Sequence, residues 1–387
     1  MQQLSEQFLL NPAITFLNFG SFGACPKPVF EEYQRFQLEL ERDPVQFITV
    51  KGIDYLRESR EALAKYIHCD ASDLVYTPNP SFAMNIVAKN LELKSGDEIL
   101  STDLEYGAMD RTWKHWCERS GAKFVRQPIS LPLASKEHFI EEFWKGCSGN
   151  TKAIFISAIT STTGLIFPVK EICAEAKKRG LLTIVDGAHV PGHLPLNLSE
   201  LEADIYTGAS HKWMMTPKGS SFLYVKKEFQ SWMEPLVVSW GYDAVFPSDS
   251  QFLDYHQFNG TRDFSAYLTI PKAIDFMEEH NWWDIASECR KLVLENVQRF
   301  CDLVGSKPLA PLTEEFFGQM ASIPIVTKDP LALKSELFHV HKIEIPVMPH
   351  GDKVYLRYSL NAFNSQEDLD KLDKAVEACI AIGLITV

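Results

Sequence analysis

The sequence predicts an α/β protein: a mostly parallel sheet covered by helices, followed by a smaller C-terminal α+β domain. Three observations predict it. From about residue 73 to 226, short β-branched runs alternate with amphipathic stretches of helical period. After residue 260 that rhythm gives way to long helical segments and a few separated strands. The length, 387 residues, exceeds a single ordinary core. The expected division is an N-terminal arm over 1–20, a large domain over 21–260 and a small domain over 261–387.

In chain order, "DLVYTPN" reads as a strand, and "PSFAMNIVAKNLEL" as a helix with Pro80 near its first position. "DEILSTD" is a strand followed by helical "YGAMDRTWKHWCERSG". "AKFVRQPI" comes next, then "KEHFIEEFWKGC" with apolar residues at helical spacing. "KAIFISAIT", "VKEICAEAKKRG" and "LLTIVDGAH" form a βαβ unit whose helix Gly180 stops. "ADIYTGAS" and "SSFLYVKK" add two strands. Beyond 260, helical 265–304 leads to "ASIPIVT", "IEIPVM" and "KVYLRYSL", interleaved with helical "PLALKSELFHV" and "SQEDLDKLDKAVEACIAI". In such a sheet, ligands are expected at the carboxyl ends of the strands.

Composition narrows the function. Apolar residues make up 45% and aromatic residues 12%, ample for a globular core. The apolar runs are far too short for a membrane span. The opening "MQQLSEQFLLNPAITF" has no basic n-region, so no signal peptide is expected. A net charge of −13 argues against nucleic acid, whose phosphates need clustered Lys and Arg. The eight cysteines contain no C-x-x-C pair, which fits reduced thiols in a cytoplasmic protein and no disulfide framework. His339, His341 and His350 lack a cysteine or carboxylate set to complete a metal site, and no metal is expected.

The chemistry gathers at strand ends. Asp186 closes the apolar run "LLTIVD", and Lys212 follows the next strand in "GASHKWMMTPKG". Successive parallel strands would bring both to one edge of the sheet. There a buried carboxylate needs a cationic or hydrogen-bonding partner, or else caps "GAHVPG". In "TPNPSFAMN" (77–85), the amides of Ser81 and Phe82 and the Ser81 hydroxyl suit a phosphate at a helix N-terminus, although an N-cap explains the pattern equally. "NFGSFGACP" (18–26) is no dinucleotide loop, since Pro26 and Pro28 interrupt it. An anion cradle, a carboxylate and a lysine at strand ends together fit a phosphorylated aldehyde cofactor.

Nine segments in order carry a resemblance over nearly the whole chain: "FLNFGSFGACPKPV", "ERDPVQFI", "TPNPSFAMN", "DLEYGA", "ISAITSTTGLIFPVKEI", "VDGAHVPG", "GASHKWMMTPKGSSFLYV", "NGTRDFSAYLTIPKAI" and "LRYSLNAFNSQEDLDKL". The chain resembles pyridoxal 5′-phosphate (PLP) enzymes of fold type I, in the class V aminotransferase group. Within it, the likeness is to isopenicillin N epimerase-like proteins, with cysteine desulfurases and C–S lyases as cousins. The resemblance implies an aspartate aminotransferase-like fold and PLP bound to Lys212 as a Schiff base. It implies Asp186 against the pyridine nitrogen, Tyr106 stacked on the ring, and His189 at the ring hydroxyl. Ser81, Phe82, Ser210 and His211 would hold the phosphate, completed by Thr261 of a second subunit in a homodimer with shared active sites. Arg357 and Asn18 would bind an amino-acid substrate, Arg357 gripping its α-carboxylate. Lys218, in the same loop as Lys212, has no matching role.

Two departures accompany the resemblance. Ala158 stands where relatives place Asn or His near the ring hydroxyl. "FHVHKIEIPVMPHGDKVYLRYS" has no cysteine before Arg357, which speaks against a persulfide-forming desulfurase. The expected activity is therefore Cα chemistry of the epimerase type, with β-elimination by a C–S lyase or transamination as alternatives. The set Asp186, Lys212 and Arg357 weighs against a non-enzymatic regulator. Of Trp113, Trp213, Trp240 and Tyr242, most are expected in the core rather than around a substrate.

Overall fold

The computed structural model describes residues 2–245 and 247–387; Met1, the first residue of the expected arm, and Phe246 lie outside the described residues. Twelve strands are named in chain order. They are β1 (Thr15–Phe16), β2 (Leu74–Thr77), β3 (Glu98–Thr102), β4 (Lys123–Gln127), β5 (Thr151–Ser157) and β6 (Leu182–Asp186). β7 (Ile205–Gly208), β8 (Ser221–Val225), β9 (Met320–Ile325), β10 (Ile343–Glu344), β11 (Val347–His350) and β12 (Lys353–Ser359) follow.

The central sheet has the order β2-β8-β7-β6-β5-β3-β4. β8 runs antiparallel to both its neighbours, and every other pair is parallel. Parallel neighbours need crossovers, and helices such as Pro80–Asn90, Gly107–Ser120 and Val169–Lys178 supply them. Each helix has a sequence cause. Asn79 caps the first, with Phe82 N donating to its side chain at 2.9 Å and Pro80 just inside. Gly121 and Gly180 take positive φ at or just beyond the ends of the other two. Helices on both faces make the inner strands apolar throughout. Leu100, Ile154, Ile156, Val185 and Tyr206 pack on one side, and Ile99, Phe155, Ile184, Ile205 and Leu223 on the other.

The C-terminal part carries the antiparallel sheet β11-β12-β9. The run "IEIPVM" is not one strand: Pro346, which lacks an N–H to donate, divides it into β10 and β11 in different sheets. β10 pairs in parallel with β1, and Asn18 bridges to Ser359 at the end of β12. Gly20 N donates to Ser359 Oγ at 2.9 Å. The N-terminal segment thus lies along the C-terminal sheet, with residues 18–21 beside Arg357.

Candidate active site

β6 and β7 are neighbouring parallel strands, with Asp186 paired to Thr207. The loop after β7 then turns back into β8 and holds Lys212. Its closure is local: Lys212 N donates to Ala209 O at 3.2 Å and His211 N to Ser220 O at 3.0 Å. Met215 sits at φ 61°, a left-handed conformation that costs energy in a non-glycine residue and recurs at functional sites. Gly23 packs onto this loop from the N-terminal segment. It has φ 63°, and a Cβ there would lie 2.5 Å from both His211 O and Lys212 O. Lys218 is exposed and donates to Gly23 O at 3.3 Å.

The Lys212 amine has a histidine beside it. Its Nζ lies 3.2 Å from His189 Nε2, while Trp213 Nε1 lies 3.2 Å from His189 Nδ1. An indole N–H only donates, so Nδ1 accepts and the neutral ring carries its proton on Nε2. Burial pushes the Lys212 amine down to about 8, with Asp186 opposing the fall and Arg357 adding to it. Burial, reinforced by the Lys212 charge, holds His189 well below the ordinary histidine range. Both groups are therefore inclined to neutrality, and the Nε2–H can donate to the amine. Burial raises Asp186, whose Oδ1 accepts from Ala188 N at 2.9 Å.

Arg357 lies 1% exposed on β12. Its Nη2 donates to Ser21 Oγ at 2.9 Å and its Nη1 to Ser161 O, but no carboxylate pairs with it among the described residues and its Nε is unpartnered. Burial lowers it to about 10, with the Tyr106 hydroxyl opposing. A buried cation without a counter-charge is costly, and an incoming carboxylate removes that cost. Among the described residues Asn18 has no hydrogen bond to Arg357. It accepts from Ser21 Oγ at 2.5 Å and donates to Glu344 at 3.0 Å, so it fixes the serine that holds the guanidinium.

The remaining predicted residues sort by environment. Tyr106 is half exposed at the start of helix Gly107–Ser120, within electrostatic reach of Arg357. The Phe82 amide is already taken by Asn79, whereas the Ser81 amide and hydroxyl have no partner among the described residues. His211 Nδ1 lies 2.8 Å from Ser220 O, and burial lowers its ring to about 4. Ser210 Oγ is buried and unpartnered. Ala158 contributes its backbone, donating to Asp186 O at 2.9 Å. Thr261 is exposed. Trp113 is core, its ring 5.5 Å from that of Phe155 and tilted by 47°, whereas Trp240 is 82% exposed.

Sequence reasoning missed Ser21, Gly23, Ser161, Trp213's hold on His189, and Glu105. The last had a signal, a carboxylate three residues after the strand "EILST", but no partner is readable from spacing.

The donor set fits PLP. An orphaned buried Ser210 hydroxyl and the free Ser81 donors suit a phosphate. A lysine eased towards neutrality suits an aldehyde, and a buried carboxylate suits a protonated ring nitrogen. Similarity agrees. The Aminotransferase class-V family model matches residues 24–372. The chain is 32% identical to isopenicillin N epimerase of Amycolatopsis lactamdurans, over 96% of each chain. It is 28% identical to putative L-cysteine desulfhydrase 1 of Oryza sativa subsp. japonica, covering 95% of this chain and 83% of the relative. In structure it is similar to the apo cysteine desulfurase from Thermococcus onnurineus NA1, with a TM-score of 0.84 at 21% identity and 98% of both chains covered. The chain belongs to the class V aminotransferase family and is an enzyme of the fold type I, PLP-dependent kind.

Proposed function

We propose that this enzyme acts at Cα of an amino acid, or of a small molecule containing one, in the manner of an epimerase. The observation that carries the reading is Arg357, a buried guanidinium held by Ser21 and Ser161 and lacking a carboxylate of its own. It receives the substrate α-carboxylate in a two-pronged grip, which aims Cα–H at Lys212. When bound, PLP supplies an electron sink for the pair left as a bond to Cα breaks. Lys212 Nζ, poised near neutrality, takes the α-proton. His189 holds that amine in place through Nε2, itself fixed by Trp213. Asp186 keeps the ring nitrogen protonated. Ser81, Ser210 and His211, with Phe82 beside Ser81, would hold the phosphate, and Tyr106 would return a proton to Cα.

The same reading includes a homodimer in which Thr261 completes the partner's phosphate site. Thr261 is exposed, and Val238 and Trp240, 68% and 82% exposed, lie shortly before it in sequence. The eight cysteines are free, in keeping with a reducing, cytoplasmic compartment. The proposed division remains an arm over 1–20, a large domain over 21–260 and a small domain over 261–387.

A second reading, β-elimination from a sulfur-containing amino acid, is favoured by the similarity to the rice protein. It begins with the same proton removal. Holo-enzyme incubated in heavy water with D-, L- and sulfur-containing amino acids separates the two by NMR. Deuterium at Cα with the opposite enantiomer, and no keto acid, is the expected result, and Arg357→Ala should raise KM at least tenfold. Keto acid and ammonia without an added acceptor would replace the epimerase reading with the lyase. Absence of Cα exchange with every substrate would overturn both.

A further inference from the structure

A second buried carboxyl group stands beside Asp186. Glu105, just beyond β3, is 2% exposed. Thr102 Oγ1 donates to its Oε1 at 2.7 Å, Ser157 N donates to its Oε2 at 3.1 Å, and Ser157 Oγ donates to the same oxygen. Ser157 is the register partner of Asp186 on the adjacent parallel strand, and the ladder continues with Ala158 N donating to Asp186 O at 2.9 Å. Directly paired residues in a sheet project to the same face. The clasp on Ser157 therefore brings Glu105 alongside Asp186, on the face where Ile184 and Phe155 pack under helices Pro80–Asn90 and Gly107–Ser120. Neither carboxylate has a salt-bridge partner among the described residues.

We propose that Glu105 is a positioning residue for the nitrogen end of the cofactor: fixed through Thr102 and Ser157, its carboxylate sets how firmly Asp186 and the ring nitrogen retain their shared proton. This rests on the reading of Asp186 as the partner of that nitrogen. Like charges in one dry site cannot both ionise freely. A negative Glu105 therefore favours the arrangement in which Asp186 and the nitrogen together keep a proton. Burial first, with the Asp186 charge adding to it, raises Glu105 to about 7 against its three hydrogen-bond donors. The charged groups facing the pair are few. Glu105 faces Asp186 of β6; Asp186 in turn feels Lys212 from the loop after β7, and its charge reaches the Tyr206 phenol, which projects from β7 to the opposite face of the sheet.

The test is holo-enzyme carrying PLP labelled with 15N in the ring, its nitrogen shift followed by NMR from about pH 6 to pH 9. Glu105→Gln keeps the shape and removes the charge. The midpoint at which the ring nitrogen loses its proton should fall by about one unit, and Glu105→Asp should restore part of the difference. Ser157→Ala, which withdraws one donor from the Glu105 carboxylate and keeps the strand, should move the midpoint in the same direction. It stands in if Glu105→Gln does not fold. Superimposable 15N titrations in wild type and Glu105→Gln would overturn the proposal. A ring nitrogen unprotonated in the wild type would instead overturn the assignment of Asp186.

Discussion

At the residue scale, the site concentrates ionisable groups that burial pushes towards neutrality. Lys212 makes this measurable. Its amine titrates near 8 in the folded chain and at its ordinary 10.5 when unfolded. Between those values the unfolded chain holds a proton that the folded one lacks, so stability rises with pH across that window and is flat in this term below it. The stability difference between cofactor-free wild type and Lys212→Met, from urea unfolding at a series of pH values, should grow in favour of wild type from pH 8 to 10.5. A difference independent of pH would show that the amine is not held in a disfavoring site. The placement of Asp186 at the end of one strand and of Lys212 after the next was legible from the apolar runs they end or follow, whereas Arg357, inside its own run, was named only through the resemblance. Ser21, Ser161 and Trp213 were not, because serines and tryptophans are common and their partners lie far off in sequence: Ser21 and Arg357 are 336 positions apart.

At the element scale, the lysine loop is held from outside as much as by its own strands. Gly23 combines a positive φ with backbone contact to His211 and Lys212, so no side chain fits without moving the loop. Gly23→Ala should destabilise the protein by about 2 kcal/mol or more and lower cofactor occupancy, read by thermal unfolding and by cofactor absorbance in the same sample. Full occupancy with unchanged melting would contradict that role. Most elements were readable from period and caps: Pro80, Gly121 and Gly180 mark helix ends in the sequence as in the structure. The reversal of β8 was not readable, because a buried strand has the same apolar run in either direction. The division of "IEIPVM" was signalled by Pro346, but which sheet each half joins is a tertiary choice.

At the scale of the whole molecule, the proposed catalytic groups come from two sheets that the N-terminal segment ties together. The central sheet supplies Asp186 and Lys212, the C-terminal sheet supplies Arg357, and the N-terminal segment locks the two together through Gly23 and Ser21. The order of segments made the fold legible, since an alternating rhythm leaves few topologies; the meeting of residues 18–23 with both sheets was not, since nothing local encodes it. The central claim is that this meeting point holds PLP on Lys212. Borohydride reduction of the holo-protein, followed by digestion and mass spectrometry, tests it most directly. The account predicts a phosphopyridoxyl group on the peptide containing Lys212, and none on that peptide in Lys212→Ala. The group found instead on Lys218 or another lysine would contradict it.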